Sequence, residues 1–189
     1  MITPVMVISF PALFEAKPNP SGALKYSCSL LIDKSDTAGI AQLKDAVAKA
    51  IAKGKETIWS NKIPPFRYQP LRDGDAELAS GEKTDPSYKG KLFLNCSANT
   101  APGVVMATAS GPKPLLDQSA IFAGCYVRAD VNPFPYKNSG NCGVGWGLNN
   151  VLLIKEGPRL DGRMRAEDAF AAFAIPEEDG TPEGSGDLM

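Results

Sequence analysis

Histidine is absent from all 189 residues. That absence removes Ser-His and Cys-His nucleophile pairs together with the commonest general base, so any catalysis would rest on carboxylates, Lys or Tyr. Cysteine is scarce: Cys28, Cys96, Cys125 and Cys142 form no C-x-x-C pair, and there is no histidine to complete a mixed zinc site. The first three lie in apolar, strand-like runs, where a reduced thiol behaves as a small hydrophobe. Apolar runs are short, none approaching the roughly 18 residues of a membrane span. The opening Met1-Ile-Thr-Pro lacks the charged-then-apolar pattern of a secretory signal, so the expected location is the cytoplasm. Lys and Arg are missing from residues 176–189, which hold Glu177, Glu178, Asp179, Glu183 and Asp187. With those five of the 21 acids set aside, residues 1–175 carry 16 acids against 20 bases, a balance of about +4 beneath a net charge of −1.

What is present suits a β-rich domain: 43% hydrophobic residues, 22% charged, 18 Gly and 16 Pro. Met1 to Phe10 alternates and is rich in Val and Ile, so it reads as a strand, followed by a turn through Lys17-Pro-Asn-Pro-Ser-Gly22. Lys25 to Asp33 reads as a second strand, with Tyr26, Cys28, Leu30 and Ile32 on one face. An amphipathic helix is predicted over about 36–53, capped by Ser35 or Asp36 and stopped by Gly54. Ile40, Leu43, Val47 and Ile51 form its apolar stripe, opposite Lys44, Lys49 and Lys53. Residues 61–90 show no clean periodicity and read as a long inserted loop. Further strands are expected at Lys91–Ala98, Gly103–Ala109, Ala123–Val131 and Gly143–Lys155, with a short C-terminal helix over Ala166–Phe173. Irregular strand–helix alternation favours a small antiparallel barrel over residues 1–175 rather than a doubly wound sheet. Residues 176–189 are dominated by Pro, Gly, Ser and acids and read as a disordered acidic tail.

Three segments invite a chemical reading. In Asn132-Pro-Phe-Pro-Tyr-Lys137, proline on both sides of Phe134 stiffens the backbone and places Phe134, Tyr136 and Lys137 at a rim beyond the fifth strand. A stiff aromatic beside a lysine suits base stacking with a phosphate contact; equally, the two rings can plug the end of a barrel. After it, Gly143, Gly145 and Gly147 share one face while Val144, Trp146 and Leu148 share the other, a pattern that fits either a sharp bend or a close approach to the backbone. The insertion interleaves Trp59, Lys62, Phe66, Arg67, Tyr68, Arg72, Tyr88, Lys89 and Lys91, the composition of a single-strand groove, but mixes in Asp73, Asp75, Glu77, Glu82 and Asp85, as a solvated loop also would. Asp73-Gly-Asp75 with Glu77 offers oxygen ligands at a spacing that matches no metal loop, and D-G-D is ordinary turn chemistry. The tail reads either as a solubilising end or as a peptide that competes with nucleic acid for the cationic body and docks on partner proteins.

The order of these segments resembles a family of small phage single-stranded-DNA-binding proteins. The resemblance is carried by KYSCSLLIDKSD feeding a helix, PLRDGD at Pro70–Asp75, GCYVRADVNPFPY at Gly124–Tyr136, GVGWGLNNVLLIKEG at Gly143–Gly157, and the closing Phe170 and Phe173. It spans Val5 to Phe173 and implies an OB-like barrel, a role in phage DNA replication and recombination, no cofactor and no catalytic residues. The resulting expectation is a non-enzymatic, sequence-tolerant binder of single-stranded DNA, with the acidic tail modulating binding and docking replication proteins, and with a homodimer open. Lys62, Arg67, Arg72, Arg128 and Lys137 are the expected phosphate contacts; Tyr68, Tyr126, Phe134 and Tyr136 are the expected stacking platforms. The rival expectations are a phage assembly module that binds protein only and, more distantly, a metal-dependent nuclease using Asp73, Asp75 and Asp130.

Overall fold

Alternating apolar runs demand a shared interior, and the computed structural model, described for residues 1–138, 140–162 and 169–173, supplies it by curling one mixed sheet into a ring. The strands are β1 (Met6–Pro18), β2 (Leu24–Asp33), β3 (Arg72–Asp73), β4 (Lys91–Ala98), β5 (Gly103–Met106), β6 (Lys113–Pro114), β7 (Tyr126–Asn138) and β8 (Asn141–Lys155). The helices are α1 (Thr37–Thr57) and α2 (Gly74–Ser80). Strand order is β3-β4-β2-β1-β7-β8-β5-β6, and an extra β4–β8 pairing closes β1-β2-β4-β8-β7 on itself. The ladders within the ring are antiparallel except this closing pair, which is parallel through Cys96–Trp146 and Ser97–Gly147. The expected mainly β barrel is therefore present as a mixed rather than wholly antiparallel sheet. No helix among the described residues is long and apolar enough to cross a membrane.

Inside the ring, Met6, Ile8, Leu13, Cys28, Leu30, Ile32, Leu94, Cys96, Val127, Ala129, Val131, Trp146, Leu148, Val151 and Leu153 are buried together. The period-2 pattern sends these side chains inward and their neighbours outward. All four cysteines are free and buried. Helix α1 crosses β7 and adds Ile40 and Leu43 to the core. Asp36 caps it, its Oδ1 accepting from the Gly39 amide at 2.8 Å.

Several expectations shift. Gly54 does not stop α1, which runs to Thr57. Its lack of a side chain serves close packing instead, since a Cβ there would lie 2.6 Å from both Pro135 and Trp59. Strand β1 does not end at Phe10 but continues to Pro18, with register breaks between Ser9 and Ala12 and between Ala12 and Lys17 that absorb Pro11. The insertion is not structureless: it holds β3, α2 and a 3-10 turn at Pro86–Tyr88. Asp73 caps α2 through the Asp75 and Ala76 amides. Strand β7 runs on through the proline segment instead of ending before it. Prolines are tolerated there because β1 pairs with β7 only at Met6 and Val7, leaving the other edge of residues 132–138 without a strand partner. Of the predicted helix over Ala166–Phe173, residues 166–168 lie outside the described residues and Ala171–Phe173 forms a 3-10 turn; the acidic tail lies wholly outside them.

Candidate nucleic-acid interface

The register of the ring puts a row of short side chains on its outer surface. Ala12 lies opposite Ser27, Ser27 opposite Ser97, Ser97 beside Gly147, and Gly147 opposite Asn132. The row therefore crosses β1, β2, β4, β8 and β7 as a shallow channel, roughly 19 Å long over four strand spacings. The next row adds Ser29 and Asn95, the Ser29 hydroxyl donating to Asn95 Oδ1 at 2.7 Å. Ala12 and Ser29 are buried, Ser27, Ser97 and Gly147 are half-buried, and Asn95 and Asn132 are exposed.

One wall of the channel is the upper half of the β7–β8 hairpin. Phe134 pairs with Gly145 and Tyr136 with Gly143. A Cβ on Gly145 would meet the Phe134 ring at 2.9 Å, and one on Gly143 would meet the Tyr136 hydroxyl at 2.8 Å. The alternating glycines therefore seat two aromatic rings against bare backbone on the outside of the ring. Phe134 stays 42% exposed, so it is not a plug for the barrel end. Lys137 is exposed near the hairpin tip, on the face of β7 opposite to Phe134 and Tyr136. Trp59 anchors this hairpin from behind, its Nε1 donating to the Tyr136 carbonyl at 3.2 Å while its ring packs on Phe66.

A second group of exposed side chains comes from the insertion, which joins the sheet at Arg72 opposite Phe93. After α1 the chain packs Trp59 and Phe66 against Cys142 and Val144, then crosses to pair β3 with β4. Trp146 Nε1 fastens that crossing by donating to the Pro70 carbonyl at 2.8 Å. Between these anchors Arg67 and Tyr68 are exposed, with the Arg67 guanidinium 5.3 Å from the Tyr68 ring centre and that of Arg72 4.8 Å from it. Arg72 is half-buried, ion-paired to Glu77 and, at 3.2 Å, to Glu82. Its charge is already matched, so it orients Tyr68 more than it attracts phosphate. Lys62 is exposed in the turn after α1.

The expected site residues thus fall into separate places. Lys62, Arg67, Tyr68 and Arg72 lie on the insertion, and Phe134, Tyr136 and Lys137 on the hairpin. Tyr126 and Arg128 lie at the far end of β7, roughly 20 Å or more from Phe134 along the strand. There Lys155 covers the Tyr126 ring at 4.8 Å, and Arg128 donates to the Thr3 carbonyl at 2.9 Å. Trp59 and Tyr88, which the loop composition suggested as stacking residues, are buried. Sequence reasoning missed the serines of the channel floor, which become a row only through cross-strand register.

The acids do not converge. Lys34 bridges Asp73 and Asp75, each at 2.7 Å, and its hydrogen bonds pull both carboxyls below the usual range while their pull raises the lysine. Asp75 also accepts from the Gly90 amide at 2.9 Å. Asp130 sits on β7, which does not neighbour β3, and accepts from Asn150 at 3.2 Å. Among the described residues no group of three or more potential ligands could hold a metal ion. Asp33 is exposed, and hydrogen bonds from the Ser35 amide and hydroxyl, then Lys91, lower it to about 2.

Comparison with known proteins places this geometry. The family profile described as Enterobacter phage Enc34, ssDNA-binding protein, matches residues 1–181. A relative called putative protein p50, from Acyrthosiphon pisum secondary endosymbiont phage 1, is 30% identical over 184 residues, covering 91% of this chain and 92% of its own. Among solved structures, the single-stranded DNA-binding protein of bacteriophage Enc34 in complex with ssDNA matches with a TM-score of 0.67 at 21% identity, over 84% of this chain and 87% of that one. The single-stranded DNA-binding protein gp2.5 of bacteriophage T7 matches with a TM-score of 0.58 at 19% identity, over 98% of both chains. These likenesses bear out the OB-like fold.

Proposed function

Since the chain belongs to the Enc34 single-stranded-DNA-binding protein family, we propose that it is a non-enzymatic phage protein that coats single-stranded DNA, with little regard to sequence, during replication and recombination. The observation that carries this reading is the row of Ser27, Ser97, Gly147 and Asn132, flanked by Phe134 and Tyr136 seated on the hairpin glycines, with Arg67 and Tyr68 exposed on the insertion. A duplex is too wide and too stiff to lay its bases across such a row, whereas a single strand presents bare base faces to rings and phosphates to cations. Stacking tolerates every base because every base has a π-face. The floor hydroxyls and amides can accept or donate without imposing a fixed pattern.

On this reading Phe134, Tyr136 and Tyr68 stack bases, while Lys62, Arg67 and Lys137 neutralise phosphates. Arg72 holds the Tyr68 ring between itself and Arg67. Tyr126 and Arg128 serve the far end of the barrel. The test is fluorescence anisotropy of the full chain with labelled oligo-dT and mixed-sequence oligonucleotides over a salt series. Binding is expected for every sequence, weakening linearly in log–log form by about 0.7 per phosphate contacted. No binding at low salt overturns the reading, and indifference to DNA alongside capture of phage assembly proteins would favour a protein-binding module instead.

The charge division of the chain supports a second layer. A body of about +4 tethered to five acids within residues 176–189 carries its own competitor for the channel and a peptide suited to cationic partners. Deleting residues 176–189 is expected to tighten single-strand binding, most at low salt, where charge is least screened. Unchanged affinity across the salt series would leave the segment without a regulatory part.

A further inference from the structure

Phe10 stands in a backbone conformation that its side chain disfavours. Its φ is +47°, the left-handed region that glycine enters freely and bulky residues avoid. It occupies the register break of β1, between Ser9, which faces Ser29, and Ala12, which faces Ser27. A bulge there bends the strand whatever residue fills it, and glycine would fill it at the least cost. The chain carries a phenylalanine instead, and the core gains little from it, since the ring is 61% exposed. Strain of this kind persists where the surroundings enforce it and gathers at binding sites.

A cation lies beside that ring. The Lys83 ammonium, on the irregular stretch after α2, sits 5.7 Å from the Phe10 ring centre, 4.6 Å from that of Tyr88 and 5.3 Å from that of Phe93. Tyr88 and Phe93 are fully buried, edge-to-face at 4.9 Å, and form a fixed base for the lysine. Among the described residues Lys83 makes no ion pair, unlike Arg72 on the same insertion. Its charge is therefore held in place by ring faces and left available to an anion. Phe10 also closes the β1 end of the channel, as Phe134 stands at its β7 end.

We propose that Phe10 and Lys83 form a terminal subsite that takes one nucleobase and its adjoining phosphate where a single strand leaves the channel. The proposal rests on the reading that the channel binds single-stranded DNA. Phe10 offers a strained, outward ring to the base, and Lys83 meets the phosphate from the insertion side.

The test uses the full chain with labelled oligo-dT and three variants. Phe10→Gly removes the ring and relaxes the backbone, so the protein stays folded; Phe10→Leu keeps apolar bulk without a π-face; Lys83→Met keeps the stem on the rings without the charge. Both Phe10 variants are expected to weaken binding about fivefold or more, the low end of one stacked base. Lys83→Met is expected to reduce the salt slope by about 0.7, one phosphate on a single strand. Phe10→Leu binding like the parent, or Lys83→Met leaving the slope intact, overturns the subsite while leaving the channel reading in place. Failure of the parent itself to bind oligo-dT overturns the channel reading.

Discussion

The two halves of the β7–β8 hairpin meet at a bulge between Asp130 and Val131, which switches the inward face of β8 from Val151 and Leu153 to Leu148, Trp146 and Val144, and their outer faces differ in kind. In the lower half, Tyr126–Val131 pairs with Leu148–Lys155; Val127, Ala129, Val131, Val151 and Leu153 point into the core, and β1 and β5 flank the pair. In the upper half, Asn132–Asn138 pairs with Asn141–Gly147, prolines alternate on one strand and glycines on the other, and two rings lie against bare backbone. Alternate glycines weaken a strand and bury no side chain. A sheet built only for stability would not place three of them opposite Asn132, Phe134 and Tyr136. The contrast separates the part of the ladder that holds the barrel together from the part that presents a surface.

The largest expected effect tests the lower half. Leu153→Ala, at a buried core position, is expected to cost about 2–5 kcal/mol in urea unfolding. Oligo-dT affinity measured well below the melting transition is expected to change by no more than about twofold, the two sites being distant. A matching loss of affinity would erase the division. Phe134→Ala reverses the pattern: a loss of about 1–3 kcal/mol in binding, as for one stacked base, against about 1 kcal/mol or less of stability. If the stability loss exceeds the binding loss, the ring is part of the core's support. The smallest effect separates the two ends of β7 by charge. Lys137→Gln is expected to lower the salt slope by about 0.7, one phosphate contact, while Arg128→Gln leaves the slope unchanged and loses only the hydrogen bond to Thr3. Equal slopes for both variants would extend the channel to the far end of the strand.

The lower half was the more legible in sequence. Its alternation and the 3.6-residue period of α1 are local patterns: Val127, Ala129 and Val131 are buried as read, and of the two cap candidates Asp36 is the one used, although both elements run past their expected ends. The glycine ladder was also visible as a face, although its meaning waited for the register that set Phe134 on Gly145. Other features depend on chain segments far apart. Gly54 read as a helix stop because nothing local announces Pro135 packing against it. The insertion read as irregular because α2 is short and its neighbours, Tyr88 and Trp59, are buried by partners from β4 and β8. Ser27 and Ser97 are unremarkable residues until a β2–β4 ladder and a parallel β4–β8 pair align them with Gly147. Lys83 acquires its place only from rings on three separate segments.

The closing pair has a consequence in time as well as in space. β8 pairs with β4, β5 and β7, so three strands made earlier await the same late partner. As the chain leaves the ribosome, β1, β2 and β4 can zip by neighbouring hairpin-like contacts, but β4 keeps one edge bare until residues near Trp146 emerge. Contacts that join distant segments are slow to form, and unpaired edges meanwhile invite the wrong partner. Nascent chains stalled before Asn141 are thus expected to be held by chaperones or cut by proteases, and those released beyond Lys155 to resist both.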